Sequence, residues 1–152
     1  MNLKQGHELK EFNRLYKELE DIYHEIALKA GISDSAFAIL YTLMEFGDGC
    51  LQKDIAEYYS TSKQTINSSI KKLAAKGLIL LQKGKGRNMH VYLTAQGRQF
   101  TEEKIAPVLA LENSIFTEMS PEESREFLRL TKKYILLYKE KVSKLYDTLQ
   151  NN

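Results

Sequence analysis

The apolar residues of this chain recur with a helical period over most of its length. In the first thirty positions they form one stripe at steps of three and four, opposite a face rich in lysine and glutamate. The pattern predicts a long first helix that ends at Gly31, since glycine accepts the left-handed conformation common at helix C-termini. The stripe consists of Leu9, Phe12, Leu15, Tyr16, Leu19, Ile22, Tyr23, Ile26 and Ala30.

Two shorter helices are predicted next. Ser33 is a typical N-cap for the second helix, which ends at the turn signal Gly47-Asp48-Gly49. A third helix covers about residues 52–58, with Ile55 and Ala56 facing inward. The serine and threonine hydroxyls of residues 60–62 bond nearby backbone groups, so these residues favour an interruption there.

A fourth helix and a β-hairpin follow. The helix starts at Ser62 and reaches Gly77, with apolar residues at helical spacing. Its inward positions are Ile66, Ile70, Leu73 and Ala74. Residues 78–81 and 90–93 are short apolar runs around the turn signal at residues 84–86, which predicts two strands with a basic tip.

The last part of the chain is predicted to be helical again. Thr94 caps a helix that continues to about Met119, and Pro107 should bend it. Residues 120–123 read Ser-Pro-Glu-Glu, which combines a capping box with proline at the first helical position. The final helix carries an apolar stripe of Phe127, Leu130, Tyr134, Leu137, Tyr138, Leu145 and Leu149.

Charge is distributed unevenly along this pattern. Residues 58–101 contain no aspartate or glutamate but six lysines and two arginines, a net charge of +8, besides His90. The whole chain is only +2, from 22 basic and 20 acidic residues, so the remaining residues carry a net −6. Such segregation indicates one positive surface for a negative partner, and nucleic acid is the first candidate because phosphate neutralisation supplies sequence-independent affinity.

The order helix, turn, helix, hairpin within this basic region describes a winged helix-turn-helix. The second helix of such a unit enters the major groove of DNA. Its outward residues here are small, polar or basic, as contacts with base edges and phosphates require. They are Ser62, Lys63, Gln64, Thr65, Asn67 and Ser68, with Lys71, Lys72 and Lys76 placed for flanking phosphates.

The chain resembles the MarR family of transcriptional regulators. Three stretches carry the resemblance: residues 52–57, residues 62–79 of the recognition helix and its C-terminal end, and the Leu-Thr-x-x-Gly motif at residues 93–97. The resemblance implies a mainly α fold with a small β-hairpin wing. It also implies a winged helix-turn-helix at residues 32–102, flanked by a helical dimerisation region at residues 1–31 and 103–152. It further implies a homodimer whose wing residues Lys85 and Arg87 contact the DNA minor groove and its phosphates.

The sequence departs from the family pattern in two places, the wing and the start of the third helix. The wing usually alternates aspartate and arginine, whereas here Lys85 and Asn88 occupy the acidic positions and His90 the later basic one. Leu51 stands where a serine or threonine cap often precedes Gln52, so the third helix should start weakly or be capped by Gln52 or Asp48.

Together with the basic region, the resemblance implies a homodimeric repressor that binds a pseudo-palindromic operator in double-stranded DNA. A small phenolic or apolar effector would release it, bound between the dimerisation region and the winged unit. Tyr16, Tyr23, Tyr41 and Tyr58 are candidates for that pocket, although ordinary core packing explains such aromatic residues equally well.

Other chemistry has little support in the sequence. Cys50, the only cysteine, is a candidate redox sensor, but its position, where a short third strand would run, favours a buried small apolar side chain. His7, His24 and His90 lack metal-site spacing, and an isolated histidine such as His24 is usually structural. We find no phosphate loop and no nucleophile with a base, so we expect neither enzymatic activity nor a cofactor.

The apolar runs are too short for a bilayer, and the sequence starts without a secretory signal, so we expect a cytoplasmic protein. One alternative function is a winged-helix module that docks an acidic protein partner, which would show no steep salt-dependent retention on random-sequence DNA. RNA binding is a third alternative, but it favours aromatic residues on the exposed recognition face. None of the four aromatic residues in the acid-free region is predicted to lie there.

Overall fold

The computed structural model describes residues 4–59 and 62–150, and confirms the predicted fold class, mainly α with a small β-hairpin wing. Its elements in chain order are α1 (His7–Lys29), α2 (Asp34–Phe46), β1 (Cys50–Leu51), α3 (Gln52–Tyr58), α4 (Lys63–Ala75), β2 (Ile79–Lys83), β3 (Met89–Leu93), α5 (Ala95–Lys104), α6 (Ala106–Glu118) and α7 (Pro121–Gln150). Ser60 and Thr61, which the sequence assigns to the interruption before α4, lie outside the described residues.

The chain divides into two compact units, one up to Val108 and one from Leu109 onward. The first unit has a single apolar core, in which the inward faces of α2, α3 and α4 meet the sheet. This burial removes apolar side chains from water and is the main force that holds the unit together. Its fully buried large side chains are Ile39, Leu40, Leu43, Ile55, Ile66, Ile70, Leu73, Val91 and Ile105.

Side-chain caps define where α2 and α4 begin. The Ser33 hydroxyl accepts a hydrogen bond from the Ala36 amide at 3.2 Å, and the Ser62 hydroxyl accepts one from the Thr65 amide at 3.1 Å. The N-cap residue of α3 is Leu51, whose side chain offers no hydrogen bond to the helix. This agrees with the predicted weak start, but neither predicted substitute provides a cap. Gln52 bonds a residue of α4, and Asp48 binds the end of the sheet.

The long helix predicted from Thr94 to Met119 is instead two helices. The break lies at Ile105, between α5 and α6, two residues before Pro107. Proline has no amide hydrogen for the carbonyl four residues earlier, and its ring clashes with that carbonyl. The structure has a full interruption where the sequence predicts only a bend, because Ile105 at the break is buried in the core of the first unit.

A three-stranded antiparallel sheet forms the wing and its base. The strand order is β1-β3-β2, and Ile79 pairs with Leu93 while Lys83 pairs with Met89. The predicted short strand at Cys50 is present, and Cys50 pairs with Val91. The central strand β3 therefore connects the start of α3 with the hairpin that carries the basic tip.

The second unit contains the end of α6 and the 30-residue helix α7. The predicted capping box is confirmed: the Glu123 amide donates to the Ser120 hydroxyl at 3.1 Å, and the Ser120 amide donates to the Glu123 carboxylate at 2.8 Å. The rings of Phe116 and Phe127 lie 6.2 Å apart next to this turn.

Helices α1 and α7 each expose an apolar stripe. On α1, the side chains from Leu9 to Tyr23 that form the stripe are 38–55% exposed. On α7, the stripe from Phe127 to Leu149 is 45–62% exposed. Among the described residues, no single helix has the length and apolarity to cross a bilayer, and only α1 and α2 counted together, across an 87° bend, pass such a test.

The Leu-Thr-x-x-Gly motif connects the base of the wing to the C-terminal end of α4. The Thr94 hydroxyl donates to the Gly77 carbonyl at 2.6 Å and accepts from the Gly97 amide at 2.9 Å. The Thr94 amide donates to the Leu78 carbonyl at 3.1 Å. A side chain at residue 97 would place its Cβ only 1.8 Å from the Leu78 carbonyl oxygen. Glycine is required there because two backbone segments meet without space for a methyl group.

We therefore expect Gly97→Ala to lower the free energy of unfolding by about 2–3 kcal/mol, because the added methyl group overpacks the contact with Leu78. Urea unfolding at a fixed protein concentration measures this change. Gly86→Asn is the matched control: residue 86 has open space around its Cβ position and a φ of +66°, which asparagine tolerates. Equal stability of the two variants would contradict the proposed steric role of residue 97.

Candidate nucleic-acid interface

Helix α4 turns one face to the core and the other to solvent. Ile66, Ile70 and Leu73 are each only 1% exposed, which fixes the rotation of the helix about its axis. The residues predicted to contact DNA are accordingly exposed: Ser62, Lys63, Gln64, Thr65, Asn67, Ser68, Lys71 and Lys72. The first turn contains no acidic residue, so the partial positive charge of the helix N-terminus is left for an external anion.

Two contacts order the start of this helix. The hydroxyl oxygens of Ser62 and Thr65 lie 2.8 Å apart, within hydrogen-bond distance. The same Ser62 hydroxyl accepts the capping hydrogen bond from the Thr65 amide. The side-chain amide of Gln52 donates a hydrogen bond to the side-chain oxygen Oδ1 of Asn67. This bond links α3 to the exposed face of α4. Three of the predicted contact residues are therefore held by other residues of this chain, and this pre-orders the face that they form.

The tip of the hairpin is a tight turn with two exposed cations. The Gly84 amide donates to the Asn88 carbonyl at 2.9 Å, and the Asn88 amide donates to the Lys85 carbonyl at 3.3 Å. Lys85 and Arg87 lie within this turn and are exposed. Backbone hydrogen bonds thus hold the turn on which these two cations lie.

A cavity of about 230 Å³ brings the helix and the wing together. Lys63 from α4, Arg87 from the wing and Lys53 from α3 all line it, whereas no carboxylate does. Its other lining residues are Leu51, Gln52, Ala56, Ile66, Asn67, Asn88 and Met89. Three cations around one opening create a local positive potential that favours an anion such as a phosphate.

Lys53 and Gln52 were not among the residues predicted for this site. Lys53 lies outside the acid-free region, between Gln52 and Asp54, so the linear charge count gives it no weight. Successive helix residues point about 100° apart, which separates Lys53 from the acidic side of α3. A helical projection of residues 52–58 would have identified it.

Several other basic side chains of the acid-free region have partners within the chain. Arg98, which follows the hairpin on α5, forms an ion pair with Asp48 at 2.6 Å. Lys76 is exposed and donates to the Gly31 carbonyl at 3.1 Å, next to the end of α1, and its contact with a phosphate stays a prediction. His90 lies 2.8 Å from the Gly49 carbonyl and is half-buried beside the sheet rather than free at the wing tip.

Two predicted phosphate contacts lie farther along α4. Lys71 and Lys72 are exposed, and Lys72 lines a separate cavity of about 420 Å³ with Lys76 and the end of α1. Lys63 and Asn67 therefore lie beside Arg87, whereas Lys72 lies beside a second cavity toward the other end of α4.

The tyrosines predicted for an effector pocket occupy different surroundings. Tyr16 is exposed on α1 and stacks on Phe12 at 6.3 Å between ring centroids. Tyr41 is half-buried and packs against the core beside Phe37. Tyr23 lines a shallow polar cavity with His24 and Asp34. Tyr58 lines an apolar cavity between α2 and α3.

The remaining candidate residues have structural contacts. His24 lies 2.9 Å from Asp34 on the surface, and no cluster of three metal-ligating side chains occurs in residues 4–59 and 62–150. Cys50 is half-buried, and its thiol donates to the Gly47 carbonyl at 3.0 Å. Burial, followed by the nearby carboxylate of Asp54, raises the pKa of the Cys50 thiol.

Comparison with known proteins finds chains with the same fold. The model of the MarR family matches residues 30–87. A MarR family regulator from Neisseria meningitidis, NMB1585, superposes with a TM-score of 0.77 at 21% identity, over 91% of this chain and 99% of its own. The Staphylococcus aureus protein MepR, solved with DNA, has a TM-score of 0.68 at 21% identity, over 88% and 99% of the two chains.

A third solved structure has a similar fold. Staphylococcus aureus MarR, in complex with salicylate and kanamycin, superposes with a TM-score of 0.67 at 19% identity, over 87% of this chain and 91% of its own. A search of curated proteins finds no match.

The chain is thus a winged helix-turn-helix protein, and its resemblance to the MarR family is confirmed. The family model covers α2, α3, α4 and the hairpin as far as the wing tip. The solved MarR regulators share the fold over most of the chain.

The structure also predicts how Cys50 reacts. Because its pKa is raised, the fraction of thiolate near pH 7.5 is lower than in an ordinary cysteine. Iodoacetamide should therefore alkylate Cys50 several-fold more slowly than a free cysteine peptide, and the rate should rise only above the pH at which an ordinary thiol ionises. Mass spectrometry of the single cysteine measures this directly. Rapid alkylation or sulfenic acid formation at pH 7 would support a redox sensor instead.

Proposed function

We propose that this protein is a homodimeric transcriptional regulator that binds double-stranded DNA through α4 and the wing. The observation that carries the proposal is the cavity shared by Lys53, Lys63 and Arg87, which come from three different elements and have no lining carboxylate beside them. Such convergence suits the sugar-phosphate backbone, whose neutralisation releases counterions and supplies most of the sequence-independent affinity.

Sequence reading is assigned to the exposed start of α4. Gln64 and Asn67 carry amides that pair bidentately with adenine, and Thr65 offers a hydroxyl and a methyl group. Lys71 and Lys72 continue the positive face along the helix toward flanking phosphates. Lys85 and Arg87 bind the adjacent minor groove and its backbone, where a narrow groove concentrates negative potential.

The second part of the proposal is dimerisation through residues 1–31 and 103–152. The apolar stripes of α1 and α7 are about half exposed over their whole length, and such surfaces mark protein interfaces. A two-fold dimer would place two recognition helices about 34–36 Å apart, in successive major grooves of a pseudo-palindromic operator.

The third part is regulation. We propose that the protein represses transcription and leaves its operator when a small effector binds and changes the spacing of the two winged units. Such an effector must have different affinities for the two spacings, because a ligand that binds both equally shifts nothing. The MepR–DNA and MarR–salicylate–kanamycin structures show that proteins of this fold bind both kinds of partner.

The wing is tested by Arg87→Ala. We expect this variant to bind every duplex more weakly and to lower the slope of log affinity against log salt by about 1 for each bound subunit. Fluorescence anisotropy of a labelled duplex between 50 and 200 mM salt gives this slope, a range in which phosphate contacts dominate. Arg98→Ala is the matched control, because Arg98 is paired with Asp48 and should leave the slope unchanged.

Equal salt slopes for wild type and Arg87→Ala would remove the wing from the interface. Absence of salt-dependent retention of the wild-type protein on random-sequence DNA would contradict the whole proposal and favour an acidic protein partner instead.

Dimerisation is tested by Leu15→Glu. Leu15 is 51% exposed in the single chain, so glutamate should be tolerated in a monomer but should place a charge inside a dimer interface. We expect the dimer to weaken at least about tenfold in sedimentation velocity. Lys10→Glu, a larger charge change on the polar face of α1, should remain dimeric. A monomeric wild type, or equal effects of the two variants, would contradict an interface through α1.

A further inference from the structure

Helix α3 separates two cavities of opposite charge. Gln52, Lys53 and Ala56 line the basic cavity beside α4, as described above. Residues three and four positions apart share a face of a helix, so Asp54, Glu57 and Tyr58 face another side. These three, together with Ile55, line a second cavity of about 470 Å³. The acid-free face of the protein therefore has an acidic counterpart on the other side of a single short helix.

The second cavity lies between the end of α2 and α3, beside β1. Its walls are mainly apolar and aromatic: Phe46 and Tyr58 meet edge to face with ring centroids 4.8 Å apart. Two polar groups in the wall are satisfied within the chain, because the Thr42 hydroxyl donates to the Ala38 carbonyl and the Cys50 thiol to the Gly47 carbonyl. The carboxylates of Asp54 and Glu57 are the charged groups that line it.

The charge of this cavity is not neutralised by neighbouring cations. No lysine or arginine lines it, and within residues 4–59 and 62–150 neither Asp54 nor Glu57 forms an ion pair. Asp54 also raises the pKa of the Cys50 thiol after burial itself, which is the effect of a negative field inside the cavity. A phenolate or carboxylate would be repelled here, whereas a cation would be attracted.

The geometry favours an organic cation over a metal ion. The described residues contain no cluster of three metal-ligating side chains, and two carboxylates on an open rim offer too few ligands for a divalent ion. A quaternary ammonium or phosphonium group has a weakly held hydration shell, so apolar walls and aromatic rings can replace that shell. Aromatic faces attract such cations through the ring quadrupole.

We propose that this cavity is an effector site for a monovalent organic cation with an aromatic or apolar body. The body would contact the exposed rings of Phe46 and Tyr58, while Asp54 and Glu57 supply the opposite charge. This assignment differs from the phenolic effector that the sequence suggests, because Tyr58 lies in an acidic cavity and not in a neutral one.

A cation in this cavity is linked to the DNA-binding face through α3. The helix packs against α4, and Gln52 at its start donates to Asn67 on the recognition face. A ligand that displaces α3 would therefore displace Gln52 and Lys53 from α4. The regulatory role of the site rests on the proposed DNA-binding function, but the binding of the cation does not.

Protection of Cys50 provides a local test, since its thiol lines the cavity and is the only one in the chain. Tetraphenylphosphonium is the probe, and tetraphenylborate is a control of the same shape and opposite charge. We expect the phosphonium ion to slow alkylation of Cys50 in the intact protein in a saturable way, and the borate to leave the rate unchanged. Equal effects of the two ions, or no protection by the phosphonium ion, would overturn the proposal.

Substitutions test whether the carboxylates of Asp54 and Glu57 cause the protection of Cys50. Asp54→Asn with Glu57→Gln should raise the half-protecting concentration about tenfold, because both opposite charges are lost. Glu102→Gln with Glu118→Gln, an equal charge change elsewhere, should not alter it. Each rate is compared with that of the same variant without ligand, and thermal unfolding confirms that each variant is folded. An unchanged half-protecting concentration in the first double variant would overturn the proposal.

Phe46→Leu keeps the carboxylates and removes one ring, so it tests the site even if the double variant fails to fold. We expect a rise of roughly threefold in the half-protecting concentration, as for loss of one partly exposed cation–π contact. An unchanged value would remove the ring from the site. DNA affinity is measured separately on the same samples. Protection of Cys50 without DNA binding would contradict only the proposed regulator function. DNA binding without protection of Cys50 would contradict only the cation site.

Discussion

The arrangement of the winged unit depends on one backbone contact, where Gly97 meets the Leu78 carbonyl. Thr94 completes this contact by bonding both the Gly77 carbonyl and the Gly97 amide. The C-terminal end of α4, the base of the hairpin and the start of α5 are thereby held together. Because α4 ends just before this point and β2 begins just after it, its geometry sets the angle between the recognition helix and the wing. The cations on those two elements line one cavity only if that angle is kept.

The same unit sorts its charges by helix face. Residues 58–101 contain no acidic residue, and two exposed cations of this region have partners within the chain, Asp48 for Arg98 and the Gly31 carbonyl for Lys76. On α3, Lys53 faces the basic cavity while Asp54 and Glu57 face the other one. A helix of seven residues therefore borders a surface suited to phosphate and a cavity suited to a cation. The helix is also the structural link between them, since it packs against α4.

Local signals in the sequence predict much of this fold. The caps at Ser33, Ser62 and Ser120 were recognisable because each combines a short polar side chain with a following apolar helical pattern. The inward positions of α4 were equally clear, because Ile66, Ile70 and Leu73 recur at helical spacing. The fold class follows from these elements and their order.

Other features depend on contacts between distant residues and could not be predicted in this way. The break at Ile105 requires the tertiary core that buries this residue, whereas Pro107 alone indicates only a bend. Lys53 joins the basic site through folding, since along the chain it lies among acids. The roles of Asp48, which binds Leu93 and Arg98, and of His90, which binds Gly49, span more than forty residues.

The central claim is that α4 and the wing form a double-stranded DNA interface presented twice by a symmetric dimer. Selection of bound duplexes from a random-sequence pool tests this claim most directly, because it reports recognition and symmetry together. The account predicts enrichment of a pseudo-palindrome whose half-site centres are about 10 base pairs apart, one helical turn. Recovery of no enriched sequence, or of a single asymmetric half-site bound by a monomer, would contradict it.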